Sequence, residues 1–308
     1  MKGTMHHLTR IFLLPALLCL GLSALSHAAE QLKPFILAST QQGSMQEVKQ
    51  ATIKKLKDAG FTVAGSYSPY TNATIIVVTN DKLKNNAVKS QFGGFGAAQR
   101  VSLTRDNDAI QVGFTNPTYM ANVYRMQDDL NDVTQQLEKA LGKQTIYGSE
   151  EGLSKEDLRE YHYKFLMPYF TDTLDLAEYP DQATALKKVN EIFSSSKTGV
   201  NKVYQIDLPG KKETVIGVHM TGSFGNDCSG DHYIMSRIDF KKIKSTGHLP
   251  YEFLISNGKV IALPAEFRIA INFPDLSMMG SNSFASIMCA PNNIEDALTG
   301  AAGGELED

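Results

Sequence analysis

Pro250-Tyr251-Glu252-Phe253-Leu254-Ile255-Ser256-Asn257-Gly258-Lys259-Val260-Ile261-Ala262-Leu263 is the stretch that decides the fold. Two runs rich in β-branched and aromatic residues flank Asn257-Gly258. Both turn residues accept the positive φ of a type I′ turn, so the stretch is a β-hairpin. After it, Phe267, Ile269, Ile271 and Phe273 alternate with Arg268, Ala270 and Asn272, a period of two that predicts a half-buried strand. Before it, residues 203–208, 214–220 and 233–240 read as strands. Pro180-Asp181 opens a helix with Ala185, Leu186, Val189, Ile192 and Phe193 on one face. Pro291-Asn292-Asn293 caps a last short helix over 294–298.

The same plan runs earlier in the chain. Ser44-Met45-Gln46-Glu47 is a capping box, followed by Met45, Val48, Thr52, Leu56 and Ala59 at helical spacing and by Gly60 at the stop. Strands follow over 61–63 and 74–78. A hairpin joins 101–104 to 109–114 through Asp106-Asn107-Asp108. Asn116-Pro117 ends it, and a helix with Leu130, Val133, Leu137 and Leu141 on one face closes the unit before Gly142. The second pass differs mainly by an insertion over 221–231. Helix-plus-hairpin order is common, and residue identity between the passes is low. The recurrence of helix, strands, hairpin and terminal helix in one order nonetheless leads to the expectation of an α+β protein of two related domains, 29–145 and 181–299, in which helices cover sheets. Between them lies a helical, aromatic-rich linker, 146–180, started by Ser154-Lys155-Glu156-Asp157. Its Tyr161, Phe165 and Phe170 are expected to bridge the two sheets and leave a cleft between the domains. The small, acidic tail 300–308 reads as disordered.

Lys54-Lys55-Leu56-Lys57-Asp58-Ala59-Gly60-Phe61-Thr62-Val63, with 74–79 and the hairpin after it, resembles the bacterial family called domain of unknown function 302. The second pass resembles it through His248-Leu249-Pro250-Tyr251-Glu252-Phe253-Leu254-Ile255-Ser256-Asn257-Gly258-Lys259-Val260. The resemblance covers about two-thirds of the chain after residue 28. It implies two divergent copies of a small α+β fold, each a curved, mainly antiparallel sheet packed with helices. It implies no activity and no catalytic residue.

Residues 1–28 have the pattern of a cleavable secretory signal. Lys2 and Arg10 precede and flank the apolar run Ile11-Phe12-Leu13-Leu14-Pro15-Ala16-Leu17-Leu18-Cys19-Leu20, and Ser26-His27-Ala28 supplies the small side chains a signal peptidase reads. The run is shorter than the ~20 apolar residues a bilayer requires, and no later stretch reaches that length. The expected location is the periplasm or the medium, with no transmembrane span. Loss of Lys2 and Arg10 leaves 28 basic against 33 acidic side chains, a net charge of −5. Without a basic run, nucleic acid is not an expected partner; a small molecule or an envelope protein is.

Cys228 and Cys289 remain after the signal, and an oxidising compartment favours a disulfide between them. Two separate buried thiols are the alternative. The insertion gathers candidate metal ligands, His219, Asp227, Asp231 and His232, beside Cys228. These types suit zinc or copper, with Met278, Met279 and Met288 as thioethers for Cu(I), but the spacing matches no known motif and no cofactor is predicted outright. Cys228 or Ser229 with His232 and Asp231 would be the parts of a hydrolase, without a G-x-S-x-G elbow. Phe92-Gly93-Gly94-Phe95-Gly96 lacks the Lys-Ser/Thr of a phosphate loop and reads as a turn. His248, Tyr251, Glu252 and Arg268 are the candidate ligand-binding residues. Arg268, alternating with large apolar neighbours, is expected to face away from the core and floor an anion site beside Ala270. Binding of a small ligand or partner protein is the expected role, with a metal-binding protein or hydrolase using the 219–232 loop as the alternative.

Overall fold

The computed structural model describes residues 30–195, 199–222 and 227–306, so the expected signal segment lies outside the described residues. The first half runs β1 (Phe35–Gln41), α1 (Met45–Asp58), β2 (Thr62–Tyr67), β3 (Ala73–Thr79), α2 (Asp81–Ala87), a 3-10 turn Gly93–Gly96, β4 (Gln99–Asp106), β5 (Ala109–Thr115), α3 (Pro117–Val123), α4 (Asn131–Leu141) and β6 (Thr145–Tyr147). The linker contributes α5 (Lys155–Arg159). The second half runs β7 (Leu174–Glu178), α6 (Gln182–Ser195), β8 (Val200–Asp207), β9 (Glu213–Met220), a 3-10 turn Asp227–Ser229, α7 (Asp231–Ile238), a 3-10 turn Thr246–His248, β10 (Tyr251–Ser256), β11 (Lys259–Ala262), α8 (Ala265–Asn272), a 3-10 turn Phe284–Ile287 and α9 (Ala290–Ala302).

Local chemistry accounts for the element ends. Ser44 and Glu47 exchange hydrogen bonds as a capping box that starts α1, and Val48, Thr52 and Leu56 turn inward. Asn116 Oδ1 accepts from Thr118 N at 3.1 Å, with Pro117 at the first helical position of α3. Asp181 Oδ1 accepts from Thr184 N at 2.8 Å and opens α6. Both hairpins turn through an asparagine at positive φ, Asn107 at 52° and Asn257 at 54°.

The sheets are α+β in the sense expected, and antiparallel throughout. The first has the order β2-β3-β4-β5-β1-β6 and the second β8-β9-β10-β11-β7, so five strands follow one another identically in the two halves. The irregularities repeat as well. One residue bulges from the first strand of each half, Ala38 in β1 and Leu176 in β7, and one from the second, Ala64 in β2 and Val203 in β8. Shared order with shared bulges gives the two halves one sheet topology.

Three local expectations are corrected. The stretches 233–240 and 267–273 are not strands: residues 233–238 lie in α7 and 267–272 in α8. In α8 every residue from Phe267 to Asn272 is buried, so no polar face marks its period, and the accidental alternation of large and small or polar residues mimics a strand. The aromatic linker is not one helix: α5 ends at Arg159, and the chain then runs irregularly. Tyr161 and Phe170 are buried, with Phe170 packing on Tyr124 of the first half (ring centroids 5.6 Å) and on Phe267 of the second (6.0 Å), but Phe165 is 87% exposed. The last helix is also longer than expected, running through Ala302 before Gly303 at φ 80°.

The halves meet along β2 and β8. A Cβ on Gly65 would lie 2.2 Å from Val203 O, so only glycine lets the two bulges touch. The connections are exchanged reciprocally. The turn Gly93–Gly96 of the first half lies on β9 and β10, and Thr246–His248 of the second lies on β3, β4 and β5. One hydrophobic core consequently runs through both halves. Inside it, Glu252 Oε1 pairs with Arg100 of β4 at 2.5 Å and Oε2 with Arg268 of α8 at 3.0 Å.

Cys228 and Cys289 form a disulfide, with Cα atoms 5.8 Å apart, that ties the turn before α7 to the start of α9. Its sequence separation of 61 residues corresponds to about 4 kcal/mol in the chain-entropy account. Reduction should lower the urea midpoint accordingly, and Cys228→Ser with Cys289→Ser should reproduce the loss; an unchanged midpoint would remove the disulfide's stabilising role. Glu252→Gln strands two buried guanidinium groups and should cost roughly 3–5 kcal/mol in the same measurement. A loss under about 1 kcal/mol, typical of an exposed pair, would show that the Glu252 charge does not hold the seam.

Candidate ligand cleft

The four residues expected to bind a ligand are brought together, but beneath the surface. Arg268 donates to Tyr124 OH, His248 O and Pro250 O, each at 3.0 Å, besides pairing with Glu252. His248 Nε2 lies 3.0 Å from Tyr251 OH. All four side chains belong to residues 5% exposed or less, so Arg268 does not face away from the core as the strand reading required. Burial, with the Arg268 and Arg100 charges, holds His248 well below the ordinary histidine range and therefore neutral. The group is a buried polar seam between the halves, in which two carbonyls and the Tyr124 hydroxyl accept from Arg268 beside the one carboxylate, while Arg100 Nε, Arg268 Nε and His248 Nδ1 meet no partner among the described residues.

The insertion gathers part of its expected set. Tyr67 OH of the first half donates to Asp231 Oδ2 at 3.0 Å, and His219 Nε2 lies 3.9 Å from the same oxygen. Burial raises the Asp231 carboxyl well above the usual range, against the pull of the Tyr67 hydroxyl and Met220 backbone. Burial also lowers His219, against a hydrogen bond with the Pro69 backbone. His232 instead packs near Tyr70, with ring centroids 5.7 Å apart. Asp227 opens the turn Asp227–Ser229, and Cys228 is spent on the disulfide. Among the described residues, no three His, Cys, Asp or Glu side chains gather as a metal-holding group.

A third region, which the sequence reading missed, has the form of a ligand site. Where β6 leaves the first sheet, it faces the chain after α7 and the chain after α8. Between them is a recess of about 230 Å³, walled by Ile146, Tyr147, Ile238, Ile243, Phe273 and Leu276. Ser149, Phe240, Lys241 and Asp275 line both this recess and an adjoining vestibule of about 860 Å³ that extends along the linker to Tyr163 and Lys164. The vestibule is anchored rather than loose: Asp275 accepts from Ser149 OH at 3.2 Å and from Glu150 N at 2.7 Å. Tyr147 OH donates to Lys244 O at 2.9 Å, fixing β6 to the opposite wall.

Asp239 is the recess's buried acid. Its Oδ1 accepts from Ser245 N at 2.9 Å, which closes the 239–245 loop. Its Oδ2 is out of contact with solvent and meets no hydrogen-bond partner among the described residues. Burial raises its pKa to about 7, against the Ser245 N–H and the Lys244 charge. The only sequence signal for this wall is an acid set between Ile238 and Phe240, inside a stretch whose strand reading hid the helix end.

No protein-family model matches the chain, and no curated protein matches it. Among solved structures, the crystal structure of an uncharacterized conserved protein DUF302 from Bacillus stearothermophilus aligns with 34% of this chain and 95% of its own. The identity over that third of the chain is 17% and the TM-score 0.31.

Proposed function

We propose that the chain is an exported binding protein whose small ligand sits in the recess between β6 and the loops after α7 and α8. The recess carries this proposal: it is concave, walled by six large side chains and edged by a few polar groups, the composition of small-molecule sites. Its size suits a compact apolar body, with a polar end in the vestibule beside Lys241 and Asp275. The disulfide and the signal-like start support an extracytoplasmic location. No helix among the described residues is long and apolar enough to cross a membrane.

Native mass spectrometry of gently purified protein, together with ligand-observed NMR against small apolar fragments, tests the site. Binding should disappear in Ile243→Trp, which fills the recess from a partly exposed loop position. Fragments that bind the variant as well as the parent, or a parent that binds none, would sink the assignment.

Asp239 gives a pH-dependent check on the same wall. Its folded pKa of about 7 lies above the unfolded value of about 3.9. Between these values the folded state holds a proton that the unfolded chain has released, so stability from this group falls as pH rises through the window. Asp239→Asn should match the parent's stability trend near pH 4 and gain on it progressively up to pH 7. Thermal melts at steps across that range measure the difference; a gap that does not grow with pH would show that Asp239 titrates like an exposed acid.

A further inference from the structure

Eight large apolar side chains stand exposed among the described residues, and six of them come from two loops: Phe165, Leu166 and Tyr169 in the linker, and Met278, Met279 and Met288 before α9. Single exposed apolar groups are ordinary, but a gathering of them marks a contact surface. Four of the six are more than three-quarters exposed, namely Phe165 (87%), Leu166 (86%), Met288 (81%) and Met279 (76%). The roots of the loops are joined by Tyr163, which donates to Leu276 O and packs on Phe284 with ring centroids 5.1 Å apart.

The loops are held in this outward pose. His162 stacks on Tyr169 at 4.1 Å, and its Nε2 lies 2.7 Å from Met167 O. Leu166 sits at φ 70°, a conformation costly for a branched residue. Ser277 OH donates to Met279 O at 2.8 Å. Beside Phe165 and Leu166 is a depression of about 550 Å³ whose charged lining is Asp172, Glu266 and Glu295; it includes His162 but no lysine or arginine.

We propose that this surface docks a basic, amphipathic segment of a partner protein, its apolar face on the Phe165 and Leu166 side chains beside Met167 and its cations toward Asp172, Glu266 and Glu295. Helices that lie in apolar grooves bind through such anchors, and methionine lets the surface adapt to the occupant. Charge decides the occupant. An anionic membrane would be repelled by the three carboxylates, with Lys164 the nearby cation and turned over the Tyr163 ring at 5.6 Å. A second copy meeting the same face would set these acids against one another.

The probe is a synthetic peptide of about 18 residues, five helical turns, with leucines on one face and arginines on the other, titrated onto the full exported chain by calorimetry. Binding should weaken with salt and fall at least about tenfold when Phe165→Ser and Leu166→Ser are combined. Both side chains are exposed, so the melting temperature should hold. Glu266→Gln should weaken binding and flatten its salt dependence. The proposal is overturned if a peptide with glutamates in place of arginines binds equally well, or if the double variant binds unchanged. It is also overturned if neutral or anionic lipid vesicles, or self-association seen in sedimentation, occupy the surface instead.

Discussion

Glu252 lies between two guanidinium groups that come from different elements, Arg100 on β4 of the first half and Arg268 on α8 of the second. A carboxylate this deeply buried tolerates no second position, because either arginine left alone would be a bare charge in a low-dielectric core. Such a pair contributes less to net stability than to register. The two halves must dock with Arg100 over Glu252, and with them the linker aromatics Tyr161 and Phe170 fall against Phe267. Counted from the hairpin turns, Glu252 occupies the place that Ser102 has in the first half. The charge belongs to one copy only, so the seam joins unlike partners built on like sheets.

That asymmetry extends to the site. The recess does not lie on the five shared strands or their paired bulges. The recess is built from what the first half has in addition, β6, and from the second half's loops at 239–245 and 273–276. The shared topology forms the scaffold, and the unmatched pieces form the cavity. The insertion was spent differently, on a disulfide and on the Tyr67–Asp231 contact across the seam.

The duplicated plan was legible because its signals are local. A capping box, Asn-Pro and two asparagine turns each act within a few residues, and the structure retains all of them. The strands β1 and β7 went unread, although Phe35 to Thr40 is rich in apolar and β-branched residues and Leu174-Asp175-Leu176 alternates. Neither lies beside a hairpin turn, and the pairing partners of each are far off in sequence. Helix α8 went unread for the opposite reason, since burial on many sides erases the polar face that periodicity depends on. Helix α7 does bury one face, Asp231, Ile234, Met235 and Ile238, and its start within the insertion hid that spacing. The disulfide was readable by compartment and elimination. The recess was not, because its walls come from three separate stretches and none carries a motif.

The exchange of connections, with Gly93–Gly96 resting on one sheet and Thr246–His248 on the other, sets how a ligand would enter and leave. Receptors that clamp their cargo between two lobes rely on a hinge crossed by few contacts. Here opening the lobes would break a continuous core and strip Glu252 of a partner, so that motion is closed to the molecule short of unfolding. The pocket is therefore preformed. A ligand of the proposed site would associate at a rate set by diffusion and by orientation at the mouth, without a closing step.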